Sequence, residues 1–401
     1  MIFECDPVVC PVCDQSGVPI LSVSLPSITS SLLDPRDATN HLENYPADLY
    51  RCRNCLHGWL MTNSVIDYAD RARATKFGYE KTSTKNPPIA IIGSEAGVQS
   101  QLRTLEIGAN DGSFLKQLMC AGVSRDVLAV EPNNLLTQLI ERRGIPCLTE
   151  YFDRDLAIRI KEEYGQFDLI ICRHVLEHVS DLNDFLLGCV DLLPSNGLIY
   201  FEFPNSDLIF KHGYFWEIWE EHLHYFSPHS AEVLLKNAGL EIHTIQHIPD
   251  RGSENICILG GISTAQTSKH QTAQELIGRK MSRFFSVDLK TLISNIRENL
   301  LGSSLVIIGA SHYQRNFVTY LGLGSQCQGW LDDDKAKAGL LPIVPGNRAL
   351  VTGLDEYFFT SKELSSVIVI NGLFGHPNVR EKLNKYENRS IEIVDFTSLV
   401  V

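Results

Sequence analysis

Two Cys-Xaa-Xaa-Cys pairs, Cys10/Cys13 and Cys52/Cys55, precede a glycine turn, Glu106-Ile-Gly-Ala-Asn-Asp-Gly112. That order constrains the fold more than either motif alone. Each pair puts two thiolates on one side of a tight turn. Two such turns supply the four sulfurs of a tetrahedral Zn²⁺ and leave no position open for water. The 38 residues between the pairs exceed the usual ribbon spacing, but closing a longer loop adds entropy cost only slowly. Cys10, Cys13, Cys52 and Cys55 are therefore expected to hold a structural zinc; the bland alternative is two unrelated turns with buried cysteines. His57 is a spare ligand candidate, with the surface as its expected place.

At 401 residues the chain is too long for one ordinary core and suits two or three domains. A formal charge of −13 argues against a nucleic-acid partner, which needs concentrated Lys and Arg. No apolar run reaches the ~18 residues of a membrane span. The first residues lack the basic start and apolar stretch of a signal peptide, so a cytoplasmic protein is expected. Cysteines outside the two pairs, such as Cys172, Cys189 and Cys257, sit in apolar runs as small core residues do.

Residues 1–70 read as the zinc-binding unit, and 71–101 as a lead-in helix and linker. From Leu102 strand-like runs alternate with amphipathic helical stretches: Thr104–Ile107, Ser113–Cys120, Val127–Val130, Leu135–Arg142, Phe167–Cys172, Leu182–Leu193 and Leu198–Phe203. This is the pattern of an α/β fold with a parallel sheet wrapped by helices. A second unit, 249–401, carries a long helical pattern over Gln274–Asn299. Strands follow at Ser304–Ile308, Gln328–Leu331 and Ser366–Ile370, a rhythm that fits a smaller Rossmann-like domain.

Glycine at the end of the first central strand lets a ligand approach the backbone closely. The next strand ends at Glu131, placed to bond ribose hydroxyls. That arrangement serves NAD and S-adenosylmethionine enzymes alike. The loop departs from Gly-Xaa-Gly-Xaa-Xaa-Gly, and its carboxylates Glu106 and Asp111 suit a cationic ligand better than a pyrophosphate. Asp111 has a second reading as a helix cap.

Five segments together resemble the successive motifs of the S-adenosylmethionine-dependent sugar C-methyltransferases: Glu106–Gly112, Val130-Glu-Pro-Asn133, His174-Val-Leu-Glu-His178, Glu202-Phe-Pro-Asn205 and Glu221-His-Leu-His-Tyr-Phe-Ser-Pro228. The resemblance runs over nearly the whole chain, strongly through about Phe226 and weakly after Ile248. It implies a class I (Rossmann-like) methyltransferase core, here 71–248, between an N-terminal zinc domain and a C-terminal Rossmann-like domain that binds substrate. It also implies a methyl branch added to a keto-deoxysugar nucleotide; a monomer or homodimer is expected by default, since the sequence hides the oligomeric state. Glu106, Gly108, Asn110 and Asp111 would surround the methionyl part of the cofactor. Glu131 would take the ribose, Tyr151 and Phe152 would lie beside the adenine, and His174 near the reacting methyl. His174 and His178 could instead share one helical face without a direct role.

Carbon methylation needs a base beside a ketone. His222 is the candidate base, with Glu221 to orient its ring. Where the family usually carries a tyrosine this chain has Trp219, which removes a phenol able to hold an enolate oxygen. Tyr79 or Tyr225 could replace it. His222 and His224 also permit a metal reading, because alternate strand residues share a face. The C-terminal domain departs further from the family, with Gly309 and Arg315 left as candidates for a phosphate. Two alternatives stand beside carbon methylation: oxygen or nitrogen methylation of another small molecule, and a non-catalytic binding protein of the same fold.

Overall fold

The computed structural model describes residues 8–26, 32–33, 44–62, 67–69, 87–96, 101–250, 253–263, 287–353, 356, 367–371 and 391–400. Among them, seven strands form the central sheet, in the order Leu240–Asp250, Ser253–Ile262, Leu198–Pro204, Leu169–Arg173, Leu102–Ile107, Ser124–Val130 and Cys147–Leu148. From Leu198–Pro204 onward every pairing is parallel, and Ser253–Ile262 runs antiparallel on both its sides. The chain leaves its first strand in one direction along the sheet and later returns to the other side of it. Ligands bind at such a switch point, beyond the carboxyl ends of the strands.

The central strands read as nearly unbroken apolar runs because both faces are covered. Leu105, Ile107, Ile170 and Phe201 enter one core, while Leu169, Ile171 and Tyr200 enter another on the opposite face. The helix Ser113–Cys120 follows the glycine turn with Phe114, Leu115 and Leu118 buried. Asn133 and Asp153 cap the helices Asn134–Arg142 and Arg154–Tyr164 through their side chains.

The expected second sheet is present. Its strands lie in the order Val351–Thr352, Cys327–Leu331, Ser304–Ile308, Val367–Asn371 and Ile391–Asp395, all parallel. Of the long helical pattern expected over Gln274–Asn299, the described part is the helix Leu289–Leu300.

The N-terminal segment forms an antiparallel sheet of Gly17–Pro26, Asn44–Cys52 and Gly58–Thr62. Its fourth strand, His224–Tyr225, belongs to the central region. Leu32–Leu33 pairs with Leu341–Pro342 of the C-terminal region. One apolar cluster joins Leu21 and Leu49 to Phe215 and Trp216, and onward to Phe317 and Trp330. All three regions therefore contribute to the packing around residues 215–225.

Candidate active site

The glycine turn is held open by its backbone. Gly108, Asn110 and Gly112 all have positive φ, at 69°, 53° and 73°. A Cβ on Gly108 would lie 2.3 Å from Val175 Cγ2, so only glycine fits there. Glu106 lies buried beneath the turn, and its Oε2 has no hydrogen-bond partner. Burial pushes its pKa up to about 8, with Arg173 pulling against that and Glu131 and Asp111 adding to it. Glu131 Oε2 accepts from Asn110 N–H at 2.9 Å and Oε1 from Asn133 N–H at 3.1 Å. Its pKa is also pushed up by burial, to about 7, against those two donors.

Asp111 stands one residue before the helix N-cap, which is Gly112 and has no side-chain cap, so the expected capping role is not taken. It accepts from Ser113 N–H at 3.0 Å and pairs with Arg143 at 2.8 Å. Burial opposes its charge, but Ser113 and Arg143 hold the carboxyl below its ordinary range. At the expected adenine position, Tyr151 Oη donates to Asp67 at 2.7 Å and accepts from Tyr68 N–H at 2.6 Å. Phe152 packs edge-on against Phe185.

The fourth strand ends in a polar cluster. His174 sits in the left-handed region, at φ 52°, and so leaves the strand direction at once. The expected helical face shared by His174 and His178 does not form, because the helical turn spans only Leu176–His178. His174 reaches Glu177 at 3.5 Å and Glu202 at 3.4 Å. Burial works against charging its ring, but those two carboxylates overcome it and hold the imidazole well above its ordinary value. Glu202 also pairs with Arg173 at 2.7 Å. His178 points elsewhere: Nδ1 lies 2.7 Å from the Glu221 carbonyl and 3.0 Å from Tyr68 Oη.

Glu221 and His222 both arrive at this cluster. The Glu221 carboxylate accepts from Tyr68 Oη at 3.4 Å. His222 lies edge-on to His178 and Trp219, with ring centroids 4.9 and 4.7 Å away. Burial, then the neighbouring His178, His312 and His174, push its pKa well below the ordinary range. A small cleft beside it is lined by Pro204, Asn205, Ser206, Glu217 and Tyr225.

Tyr68 was missed by sequence reasoning. Its backbone carbonyl accepts from Asn133, and its hydroxyl reaches His178 and Glu221, so one residue spans the two halves of the site. No spacing or composition marks it. Of the two tyrosines suggested by sequence, Tyr79 lies outside the described residues. Tyr225 spends its hydroxyl on Trp219, donating to the carbonyl and accepting from the N–H, both at 3.1 Å.

Two expectations for the surroundings fail. His57 is fully buried rather than on the surface: its Nε2 lies 3.1 Å from His224 Nδ1, and His224 Nε2 donates to the Val179 carbonyl at 2.9 Å. His224 is therefore committed to a structural chain and does not join His222 around a metal. Arg315 is not held ready for a phosphate. It is 3% exposed and makes a two-pronged ion pair with Glu220, both prongs at 3.1 Å. At the neighbouring turn Asp332 accepts from Ala310 N–H at 2.9 Å, which puts a carboxylate where a phosphate would need that donor.

The four cysteines converge. Cys10 and Cys55 sulfurs lie 3.6 Å apart, and those of Cys13 and Cys52 lie 3.5 Å apart. All four sulfurs fall within 4.8 Å of one another. Zinc at about 2.3 Å from each sulfur sets edges of roughly 3.8 Å, so the ion fits. Asp14 and Leu56, each just after the second cysteine of a pair, have matching positive φ of 56° and 65°. Each donates its N–H to the carbonyl of the first cysteine in its pair, so the two knuckles are copies of one turn.

Residues 85–245 match the family model described as a methyltransferase domain. The fold is an α/β class I methyltransferase-like core. Mitochondrial ubiquinone biosynthesis O-methyltransferase from Bos taurus is 25% identical over 164 residues, covering 36% of this chain and 43% of that protein. Ubiquinone biosynthesis O-methyltransferase from Bordetella avium is 25% identical over 114 residues, covering 28% of this chain and 46% of its own length. The chain spans less than half the length of the curated relatives it matches. An S-adenosylmethionine-dependent methyltransferase structure from Mesorhizobium loti aligns at TM-score 0.34 and 14% identity, over 44% of this chain and 96% of that one. Among the described residues no helix is long and apolar enough to cross a membrane.

Proposed function

We propose that the protein transfers a methyl group from S-adenosylmethionine to an oxygen or nitrogen of a small molecule. One observation carries the reading: an open glycine turn stands at the sheet's switch point between two buried carboxylates, Glu106 and Glu131, beside a cluster of histidines and Trp219. When bound, the cofactor supplies an electrophilic methyl on a sulfonium. Glu106, with an unpaired oxygen under the turn, would face the methionyl ammonium, and Glu131 the ribose. Gly108 and Asn110 give the backbone room, and Phe152 stands beside the adenine. His174 lies toward the methyl. The aromatic wall of Trp219 and Tyr225 keeps water from the acceptor side. The matched relatives are named for O-methyl transfer, which supports a heteroatom acceptor. Cys10, Cys13, Cys52 and Cys55 would hold zinc in a purely structural role.

A second reading is methylation at carbon of a keto-deoxysugar nucleotide, with His222 as base, Glu221 beside it, and Tyr79 as a further contact. The order of the three regions favours it. The Arg315–Glu220 pair and the Asp332 carboxylate at the C-terminal turn count against a nucleotide there. Isotope exchange separates the two readings. A carbon methyltransferase washes the acceptor's α-proton into deuterated water, whereas a heteroatom methyltransferase releases S-adenosylhomocysteine with no such exchange.

A further inference from the structure

The short turn Leu176–His178 and the loop ending at His222 bring Glu177, His178 and His222 together. One ligand atom from each lies within 4.8 Å of the other two. Glu177 is 1% exposed, and neither of its carboxylate oxygens has a hydrogen-bond partner. Its nearest cationic group is His174 Nδ1, 3.5 Å away. His174 at Oε1 offsets part of the cost of withdrawing this carboxylate from water, and Oε2 is left with no partner, where a second positive charge would sit. His178 faces the Glu221 carbonyl with Nδ1 at 2.7 Å. A carbonyl only accepts, so that nitrogen carries the proton and the lone pair falls on Nε2. A ligating imidazole is oriented in this way, by a hydrogen bond from its other nitrogen. The ring nitrogens of His222 make no hydrogen bond to the described residues, and Trp219 and His178 fix the ring by packing.

We infer that Glu177, His178 and His222 form a second metal site, distinct from the four-cysteine cluster, which binds a divalent first-row transition ion. Two imidazoles and one carboxylate suit zinc, manganese, iron or cobalt better than magnesium or calcium. Three protein ligands leave at least one position for the acceptor. The role of the ion rests on the methyl-transfer reading, whereas its binding does not. An acceptor hydroxyl bound there gives its proton to water. Its oxygen pair then forms the bond to the methyl carbon as the carbon–sulfur pair returns to sulfur. A ligating His222 cannot also serve as a free base, so an occupied site favours the heteroatom reading over the enolate one.

Cobalt is the probe, because thiolate ligands give it a charge-transfer absorption that nitrogen and oxygen ligands do not. The full chain, stripped of metal and titrated with Co²⁺, is expected to bind two ions, one of them with the thiolate band. Glu177→Gln and His222→Asn should each reduce the count to one, leave the thiolate band intact, and weaken the second binding step at least 10-fold. A wild type that binds only the thiolate-ligated ion overturns the site, as do variants that still bind two. If both variants fail to fold, by circular dichroism, the wild-type count still decides. S-adenosylhomocysteine binding, measured in parallel, separates the failures. Binding with one cobalt sinks the metal site alone; two cobalts without such binding sink the methyl-transfer reading alone.

Discussion

Gly108 carries the sharpest constraint at the residue scale. A side chain there meets Val175 and must also adopt a left-handed backbone. Gly108→Ala is expected to cost about 1–2 kcal/mol from the backbone alone, with the clash added. Urea unfolding checks this, and an unchanged midpoint would contradict it. Glu106 makes a pH-dependent prediction. Its folded pKa is raised from 4.5 to about 8. Its contribution to stability is therefore complete below pH 4.5 and is lost as pH rises through 8. Glu106→Gln keeps a neutral group at every pH. The stability of the variant relative to wild type should grow by up to about 1.4 kcal/mol per pH unit across that window. Denaturation curves at pH 5, 6.5 and 8 measure it, and a difference independent of pH would refute the assignment. Cofactor affinity runs the other way in wild type, rising with pH as Glu106 ionises to meet the methionyl ammonium.

At the scale of elements, the loop 215–222 is gripped by the helix His312–Leu321. Arg315 holds Glu220, Asn316 donates to the Trp216 and Ile218 carbonyls, Tyr320 donates to Ile218, and His312 stacks on Trp219. Breaking the buried pair with Arg315→Met alone leaves Glu220 charged in the core and should cost about 3–5 kcal/mol. Pairing it with Glu220→Leu should recover most of that, as a double-mutant cycle would show. Much of the element pattern was legible in sequence. Ser113–Cys120 and Ser304–Ile308 fall where periodicity put them, and the CxxC spacing foretold the convergence of the four cysteines. What was hidden depends on contacts distant in sequence. Tyr68 becomes part of the site only through Asn133 and His178, and His57 is buried only because His224 lies 167 positions later. The His174–His178 spacing looked helical, but a positive φ at His174 separates the two rings. Arg315 read as a spare cation until Glu220 was seen opposite it. Those residues obey no local period, so pattern reading could not place them.

On the scale of the whole molecule, the cysteine unit packs against the candidate site rather than standing apart from it. Its sheet is completed by His224–Tyr225, two residues beyond His222. Cys55→Ser should abolish zinc retention, measured by metal analysis. It should also raise amide exchange across 224–225 and weaken cofactor binding several-fold. Metal loss without any change at 224–225 would show the two regions to be uncoupled. The C-terminal region clamps the loop 215–222 through its helix His312–Leu321. The central claim is that the glycine turn and its buried carboxylates receive S-adenosylmethionine. It is tested most directly by calorimetric titration of S-adenosylmethionine and S-adenosylhomocysteine into the full chain and into Glu106→Gln, with NAD as control. Both methyl-cycle ligands are expected to bind at micromolar concentration, at least 10-fold more weakly in the variant, and NAD not at all. Binding of NAD alone, or equal binding by wild type and variant, would contradict it.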